Sequence, residues 1–493
     1  MPSKRRWLRM TKDDLVWEKI EEVSDEWEKT IHKSETYRAI ANLILKYREG
    51  KPEELHLGIR GGYNVVYRLE YADGSSAMLK MPIKGVVQFP EEKTRYEAAT
   101  LRYVAANTTI PVPRVYYCGT AAENPTGLGP FIVMEYIEHD KVMTQVLKDP
   151  NQEPGDFPIL DPNIDEKKLE YLYSQMANIL LHLSNLRFSR IGSLVEGSDN
   201  EISVTARPLT QNMNDVVEFT NMPPSLLPSP SQTFSSTRDW YMALAVLHMK
   251  QLTFQHNDAV EDVEDARDKY VARQLFRNLV KNESIPTSSV ADDDSRLWSE
   301  DLTPSNVLID SNLRVVGVID WEFAHAAPAH FVFDPPWWLL LQEPEWWLDG
   351  YEPFMKAYEP RLQTFLRVLE VEEKKMATSL DGKFQGLSLT TDKRSEPPLS
   401  QRMRESWEKR TWMVNYAARK SWAFDFIWWK YLDESYFGPN ENQDYPARLG
   451  LLSEPQAKLM ETFVAQKMKE KENRGIVKWE DKDAVDHIDE VLV

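Results

Sequence analysis

The feature that most constrains the fold of this chain is a pair of short apolar segments in its second half. Asp301 is followed five residues later by Asn306 and then by an apolar run at 307–309. After a polar turn the chain continues as VVGVI and reaches Asp320. Two short apolar runs that flank turn residues are typical of a β-hairpin. The hairpin would return Asp320 to the loop of Asp301 and Asn306, which creates a set of oxygen ligands suited to Mg²⁺.

The first third of the chain predicts a small antiparallel sheet. Residues 55–80 alternate apolar and polar side chains on either side of an Asp-Gly pair, which is a strong hairpin signal. A helix is expected at 91–107, with Glu97 on the face that also carries apolar side chains. The prolines of the IPVP sequence end this helix. A further pair of strands follows, and the second of them lies at 130–137.

The remainder of the chain is mainly helical in pattern, so the fold class is α+β with two lobes. We expect four parts, namely an N-terminal helical extension at 1–50, a sheet lobe at 51–137, a helical lobe at 138–480 and a charged tail at 481–493. Two segments interrupt the helical pattern. Residues 195–236, rich in Pro, Ser and Thr, predict a surface excursion or insertion, and residues 373–402 predict a mobile loop.

Composition disfavours several classes of function. The 493 residues include 78 acidic and 59 basic side chains, a net charge of −19, which repels nucleic acids and anionic lipid surfaces. No apolar run reaches the roughly 18 residues that a membrane-spanning helix needs. Cys118 is the single cysteine, which suits a reducing compartment. We therefore expect a cytoplasmic protein without nucleic-acid or membrane partners, with a mitochondrial presequence as the alternative. The oligomeric state is left open.

Six stretches resemble a known family in their order along the chain: GIRGGYNVVY, AMLK, YEAATLRYV, FIVMEYI, DLTPSNVLID and VVGVIDWEFA. Together they are similar to the aminoglycoside phosphotransferase and choline kinase-like family of the protein-kinase-like superfamily. The helical remainder, including IGSL at 191–194 and FDPPWWLL, resembles that of fungal members. The resemblance covers about residues 55–340. It implies a bilobal protein-kinase-like fold with a small antiparallel-sheet N-lobe and a large helical C-lobe. It also implies transfer of a phosphoryl group from ATP, with Mg²⁺, to an alcohol group of a small molecule.

The resemblance assigns roles to individual residues. Asp301 would orient the substrate hydroxyl or accept its proton, and Asn306 and Asp320 would bind Mg²⁺. Lys80 would neutralise the nucleotide phosphates and would be held by Glu97.

Two backbone segments complete the predicted nucleotide site. The phosphate-binding turn would use Gly58, Gly61 and Gly62, and the hinge strand that bonds adenine would use Glu135, Tyr136 and Ile137. Taken singly, these residues have ordinary structural explanations, because GIRGG falls short of a phosphate-loop pattern and a strand lysine is usually solvated. Their combination in family order favours the functional interpretation.

One position departs from the family pattern. Ser299-Glu300-Asp301 stands where the family carries H-G-D or H-x-D, so the imidazole that braces the loop is missing. Glu300 either points inward, where it would raise the pKa of Asp301 or add a metal ligand, or points outward without effect. Two hypotheses follow, an active phosphotransferase and a catalytically impaired scaffold or nucleotide-binding protein. A protein kinase is disfavoured, because neither H-R-D nor A-P-E is present.

Tryptophans give the only indication of the acceptor. Two groups after the hairpin stand out: Trp321, Trp337, Trp338, Trp346 and Trp347, and then Trp422, Trp428 and Trp429. Paired tryptophans on amphipathic helices usually pack in a core. Their faces can also hold a cationic amine, which together with the negative charge of the chain suggests an amine-bearing metabolite.

Overall fold

The structure is a computed structural model that describes residues 8–153, 155–285, 294–347, 349–383 and 397–493. Its strands are β1 (Pro52–Leu55), β2 (Ile59–Arg60), β3 (Asn64–Tyr71), β4 (Ser76–Pro82), β5 (Val115–Gly119), β6 (Phe131–Glu135), β7 (Lys141–Val142), β8 (Arg187–Phe188), β9 (Ser193–Glu196), β10 (Ile202–Ala206), β11 (Ser295–Trp298), β12 (Val307–Ile309), β13 (Val315–Val318) and β14 (His325–Pro328). Its α-helices are α1 (Asp14–Ile31), α2 (Ser34–Tyr47), α3 (Pro90–Asn107), α4 (Met143–Leu147), α5 (Glu166–Ser184), α6 (Gln211–Thr220), α7 (Thr237–Phe254), α8 (Val263–Lys281), α9 (Ala329–Val332), α10 (Tyr351–Lys383), α11 (Leu399–Glu408), α12 (Thr411–Arg419), α13 (Phe424–Ile427), α14 (Asp433–Phe437), α15 (Glu454–Glu472) and α16 (Asp481–Val491).

The first lobe is an antiparallel sheet with the strand order β1-β3-β4-β6-β5. The short strand β2 pairs with Val65 and Val66, near the start of β3. The predicted Asp-Gly turn joins β3 to β4, and Gly74 adopts the left-handed φ of +80° that this turn requires. Alternate residues of β3 and β4, such as Tyr67 and Leu79, pack against α1 and α2. Helix α3 packs against the sheet near the second lobe, and its first turn begins with Pro90.

The second lobe is helical and, within its described residues, contains three small sheets, namely the β9–β10 pair and two three-stranded sheets. Strand β11 lies between β8 and β14, and β12 lies between β7 and β13. The segment between β11 and β12 therefore joins the two three-stranded sheets, and it carries Asp301 and Asn306. Helices α5 and α10 pack together on one side, and α7, α8 and α15 form a second bundle. The predicted α+β architecture, with a small antiparallel-sheet lobe and a helical lobe, is confirmed. Among the described residues, no helix combines the length and the apolar character needed to cross a membrane.

Residues 195–236, predicted as a surface excursion or insertion, do not form an unpacked surface excursion. This segment contains the second half of β9 together with β10 and α6, and it buries Leu209, Met213 and Val216 in the core of the second lobe. The prolines and most of the serines of the segment lie between these elements, so they mark turns rather than an unpacked loop.

Two further boundaries differ from the predictions. The predicted loop at 373–402 begins too early, because α10 continues to Lys383, and it ends too late, because α11 begins at Leu399. Residues 384–396 lie outside the described part of the chain. The expected charged tail is instead helix α16, whose Ala484, Ile488 and Val491 are buried against the second lobe. Helix α16 carries charged residues on one face and apolar residues on the other. Composition alone registers its many charged residues but not their arrangement, so it suggested a tail.

Candidate active site

A buried lysine joins the two lobes. Lys80 on β4 places its Nζ 2.6 Å from Glu97 Oε1 on α3 and 2.7 Å from Asp320 Oδ1, which follows β13 in the second lobe. Lys80 is 4% exposed and Glu97 is 2% exposed, whereas the side chain of Asp320 is 35% exposed. The geometry therefore brings together three of the predicted site residues and leaves Asp320 accessible from the cleft.

The charges around Lys80 keep it protonated. Burial by itself lowers the pKa of a lysine, but the carboxylates of Asp320, Glu322 and Glu97 outweigh burial and hold the pKa of Lys80 well above its usual value. A fixed positive charge at this point suits the binding of phosphate groups.

Sequence reasoning missed two charged residues of this cluster. Lys93 on α3 forms an ion pair with Glu322, and its Nζ also donates to Asn64 Oδ1 at 2.7 Å. Glu322 is 4% exposed and accepts from Asn64 Nδ2 at 2.6 Å. Burial would raise the pKa of Glu322, yet Lys80 and Lys93 lower it to about 2. The sequence offered only weak signals for these two residues. Lys93 lies one helical turn before Glu97, and Glu322 lies two residues after Asp320.

Asp301 and Asn306 lie together in the loop between β11 and β12. The Nδ2 of Asn306 donates to the backbone oxygen of Asp301 at 2.8 Å and to Asp301 Oδ2 at 3.0 Å. Asn306 stands at the end of a short 3-10 helix, Pro304–Asn306, and its backbone oxygen accepts from Ile319 N. The loop is thereby attached to the end of β13. Burial, Glu322 and Asp320 raise the pKa of Asp301 to about 8.

Asp320 has an unusual backbone conformation. Its φ is +56°, in the left-handed region, and Phe323 three residues later has a φ of +59°. Non-glycine residues in this region are uncommon and cluster at functional sites. The turn directs the carboxylate of Asp320 toward Lys80 rather than along the strand.

The donor atoms at this point fit Mg²⁺. Asn306 uses its amide nitrogen for both bonds to Asp301, which leaves its amide oxygen as a ligand atom. Asp320 is accessible and contributes carboxylate oxygens. Mg²⁺ prefers such oxygen ligands and completes its shell with water and substrate phosphates. Within the described residues, no cluster of three or more His, Cys, Asp or Glu side chains forms a metal site by itself, so the remaining ligands would come from nucleotide and water.

Glu300 does not face Asp301. Its carboxylate pairs with Arg419 Nε at 3.0 Å and with Lys420 Nζ at 3.4 Å, at the end of α12, and it accepts from Trp298 Nε1 at 3.2 Å. Burial raises the pKa of a carboxyl group, but Lys420 and Arg419 lower the pKa of Glu300 below its usual value. The inward alternative is therefore wrong, and Glu300 attaches the loop to α12.

Ser299 does not replace the absent imidazole by a hydrogen bond. It is 7% exposed, and its hydroxyl has no hydrogen-bond partner among the described residues. A cavity of about 30 Å³ lies beside it, large enough for about one water molecule.

The predicted phosphate-binding turn lies at the edge of the first lobe. Gly58 N donates to Tyr37 Oη at 3.2 Å, and Gly61 N donates to Asn64 O at 2.8 Å. Among the described residues, no atom outside the two chain neighbours lies within 4 Å of the position that a Cβ would occupy at Gly62. A side chain at Gly58 would lie 2.8 Å from the ring of Tyr67, so this glycine allows a close approach of backbone to sheet.

The predicted hinge segment connects the lobes after β6. Glu135 N donates to Arg114 O, and Tyr136 N donates to Ser76 O, so both amides are used within the first lobe. The oxygen of Ile137 lies 2.8 Å from His139 Nδ1. In the described part of the chain, the amide of Ile137 makes no backbone hydrogen bond and is the one predicted hinge donor left for a ligand.

A cavity of about 1030 Å³ opens beside the loop of Asp301. Trp298 and Glu300 form one wall, and Phe323 and His325, which follow Asp320, form another. Tyr63 reaches the cavity from the first lobe. Its Oη donates at 3.1 Å to Oδ1 of Asp215, which lies on α6 in the second lobe. The cavity is large enough for a drug-sized molecule.

The tryptophans divide between core and cavity. Trp321, Trp338, Trp428 and Trp429 are at most 4% exposed and belong to the core, as the structural explanation predicted. Trp346, Trp347 and Trp422 line the cavity. Arg9 lies over the ring of Trp346, with its Cζ 3.3 Å from the ring centroid, so a cation of the protein already covers that ring.

Comparison with known proteins gives a family match and distant relatives. Residues 57–367, more than half of the chain, match the phosphotransferase enzyme family. The chain is 24% identical over 297 residues to the altered inheritance of mitochondria protein 9, mitochondrial, of Clavispora lusitaniae, covering 54% of this chain and 47% of that protein. It is 27% identical over 138 residues to a subtelomeric hrmA-associated cluster protein of Aspergillus fumigatus, covering 28% and 26%. The matches thus span less than half of these curated relatives. A solved macrolide 2'-phosphotransferase type I is 15% identical, with a TM-score of 0.39 over 85% of this chain and 98% of that one.

Proposed function

Because the chain belongs to the phosphotransferase enzyme family, we propose that it transfers the γ-phosphoryl group of ATP to a hydroxyl group of a small metabolite. The observation that carries the proposal is the convergence of Lys80, Asp320 and Asp301 between the lobes, next to a cavity of about 1030 Å³. Phosphoryl transfer depends mainly on positioning and on neutralisation of charge. These residues supply both.

In the proposed mechanism the nucleotide lies between the lobes. Lys80 holds its phosphates, kept in place by Glu97, and the hinge offers the amide of Ile137 to adenine. Gly62 offers its backbone to the phosphates. Asp320 and the amide oxygen of Asn306 would hold Mg²⁺, which would neutralise phosphate charge.

The acceptor hydroxyl approaches from the cavity. Asp301 orients this hydroxyl and accepts its proton, a task that suits a carboxylate whose pKa burial and the neighbouring acids have raised to about 8. Asn306 fixes the rotamer of Asp301 by its hydrogen bond. An amine on the acceptor stays a prediction, and Asp215 is the cavity carboxylate that could meet it.

The second candidate is a catalytically impaired scaffold or nucleotide-binding protein. The unsatisfied hydroxyl of Ser299, at the position where the resemblance implies an imidazole, favours this alternative. The attachment of the same loop through Glu300 and Asn306 favours the enzyme.

The cellular compartment also stays a prediction. The sequence favours the cytoplasm, and the name of the Clavispora relative gives weight to the mitochondrial alternative. Microscopy of the tagged full-length protein would distinguish the two.

The test compares nucleotide binding with turnover. We expect Mg²⁺-ATP to bind the wild type in isothermal titration, and Asp320→Asn to weaken this binding by about tenfold or more, because it removes a charged ligand. We expect Asp301→Asn to retain binding but to lower ADP release from a mixture of alcohol metabolites by about 10²-fold or more. Asp25→Asn, an exposed position on α1, is the matched control.

The possible outcomes separate the two candidates. Absence of Mg²⁺-ATP binding by the wild type would defeat the phosphotransferase. Binding without ADP release that depends on Asp301 would favour the nucleotide-binding scaffold.

A further inference from the structure

The cavity is completed by two segments outside the family match. Residues 8–12, before α1, and residues 419–423, at and after the end of α12, line it, whereas the match covers residues 57–367. Ligand selection in this protein therefore depends on parts of the chain that the family does not define.

The N-terminal segment is held in a fixed register on the second lobe. Met10 is buried, and its amide donates to Trp422 O at 2.6 Å. Thr11 O accepts from Gln255 Nε2 at 2.7 Å, and the fully buried Asp13 accepts from the backbone and side chain of Asn257. These bonds fix the positions of Arg9 and Lys12, which flank Met10 and Thr11.

Among the described residues, five carboxylates line the cavity, and each has a close partner. Three form ion pairs: Asp14 with Arg474, Glu300 with Arg419 and Lys420, and Glu343 with Lys420. The other two accept hydrogen bonds from tyrosine hydroxyls: Asp215 from Tyr63, and Glu345 from Tyr416. Burial also raises the pKa of Asp215, and burial with Glu343 raises the pKa of Glu345 to about 7. The negative charges of the cavity are thus compensated or reduced.

Two cations of the cavity wall make no close contact with a carboxylate. Within the described ranges, neither Arg9 nor Lys12 forms an ion pair or a side-chain hydrogen bond with a carboxylate, although carboxylates farther away attract both side chains. Arg9 instead stacks on Trp346, and the Nζ of Lys12 lies 3.4 Å from the ring centroid of Phe219. An aromatic ring orients a cation without using its N–H donors, which remain free to bond an anion.

We propose that Arg9 and Lys12 form an anion subsite that binds a carboxylate or phosphate group of the acceptor. The inference rests on the proposed function, since it assigns the acceptor to the cavity. It extends that function by giving the acceptor an oxyanion in addition to the hydroxyl that receives the phosphoryl group. Arg9 is exposed at the mouth of the cavity and Lys12 is half-buried, so the subsite lies along the entrance.

The experiment measures the affinity of four small alcohols that differ in charge. Glycerate carries a carboxylate, glycerol 2-phosphate a phosphate, choline a cation, and glycerol no charge. Isothermal titration is performed on the full chain with Mg²⁺ and AMP-PNP present, at constant ionic strength, for the wild type and for Arg9→Ala/Lys12→Ala. A control variant, Lys29→Ala/Lys409→Ala, removes two side chains that are 67% and 66% exposed and gives the same net charge.

We expect the anionic alcohols to bind the wild type more tightly than glycerol, and the cavity variant to lose about fivefold to tenfold of that affinity. Whichever of glycerate and glycerol 2-phosphate binds with the higher affinity shows whether the subsite prefers a carboxylate or a phosphate group. The control variant should bind as the wild type does, and Arg9→Lys/Lys12→Arg should retain most of the affinity. Equal binding of anionic and neutral probes, or equal binding by the wild type and the cavity variant, would overturn the subsite.

The same measurements separate this inference from the proposed function. If AMP-PNP does not bind, the phosphotransferase fails, whereas the anion subsite is still tested by its dependence on Arg9 and Lys12. If AMP-PNP binds but anions are not preferred, the subsite alone is wrong.

Discussion

At the scale of single residues, burial changes the protonation of acids on both sides of the cavity. Asp301 faces the cleft, and Glu218 lies on α6 behind Asp215, with 5% of its surface exposed. Burial and the charge of Asp215 raise the pKa of Glu218 to about 9, and Asn214 Nδ2 donates to its Oε2 at 3.2 Å. A neutral carboxyl group is therefore part of the folded state at neutral pH.

The raised pKa of Glu218 predicts a stability that falls as pH rises. In the unfolded chain Glu218 ionises near its ordinary value of 4.5, whereas in the folded chain it keeps its proton up to about pH 9. Folding thus takes up a proton in this window, and the free energy of unfolding decreases with rising pH. Glu218→Gln, which keeps the hydrogen bond without the ionisation, should be more stable than the wild type at about pH 9 by about 1 kcal/mol or more.

Urea denaturation at about pH 5 and pH 9 provides the measurement, and the variant should match the wild type at the lower pH. Glu26→Gln, at a side chain that is 73% exposed, is the control and should show no pH-dependent difference. A Glu218→Gln variant without a gain at high pH would show that Glu218 is ionised in the folded protein.

At the scale of secondary-structure elements, the loop between β11 and β12 is held from two directions. Asn306 and Ile319 attach it to β13, and Glu300 attaches it to the end of α12 through Arg419 and Lys420. Arg419 also pairs with Asp334 at 3.3 Å, beyond α9. The position of Asp301 thus depends on the end of α12, which follows it by more than 100 residues.

Glu300→Gln should separate the loop from α12. It removes one of the two carboxylate partners of both Arg419 and Lys420, so we expect a loss of about 1–3 kcal/mol in the free energy of unfolding. Turnover should fall together with stability, because Asp301 loses its fixed position. Chemical denaturation and the ADP-release assay report the two effects.

Ser299→Ala is the neighbouring control, and it should change stability by less than about 1 kcal/mol because its hydroxyl makes no hydrogen bond within the described chain. A Glu300→Gln variant as stable as this control would contradict the role of Glu300.

At the scale of the whole molecule, the N-terminal segment connects the lobes a second time. Residues 8–13 lie on the second lobe, α1 contacts α6 there, and α2 packs on the sheet of the first lobe. Direct side-chain contacts, among them the Lys80–Asp320 pair in the cleft, also join the lobes. The extension therefore limits how far the lobes can separate.

Asp13→Ala should release this connection. Asp13 is fully buried, caps α1 by accepting from Val16 N, and binds Asn257. Its removal should lower the free energy of unfolding by about 1–3 kcal/mol. Limited proteolysis should then cleave the N-terminal segment faster in the native protein.

The adjacent Asp14→Ala variant, at a side chain that is 58% exposed, should resist proteolysis as the wild type does. Equal cleavage of the Asp13 and Asp14 variants would mean that Asp13 does not hold the segment.

The features that sequence reasoning predicted correctly are those that depend on short-range chemistry. The hairpin around Asp73-Gly74, the helix with Glu97 and the hairpin that ends at Asp320 follow from side-chain periodicity and turn residues, which act over a few positions. The ordered motifs also predicted that Lys80, Glu97, Asp301, Asn306 and Asp320 would meet, and the structure brings them together. Their roles in binding and transfer remain predictions.

The contacts between distant side chains follow from the packing of the two lobes. Lys80 and Asp320 are 240 residues apart, Lys93 and Glu322 more than 200, and Glu300 finds its partners more than 100 residues later. The burial of residues 195–236, the packing of α16 and the cations that the N-terminal segment brings to the cavity likewise depend on the assembled lobes. The physical reason is that burial and ion pairing depend on which surfaces are packed together, and no local pattern in the sequence records that choice.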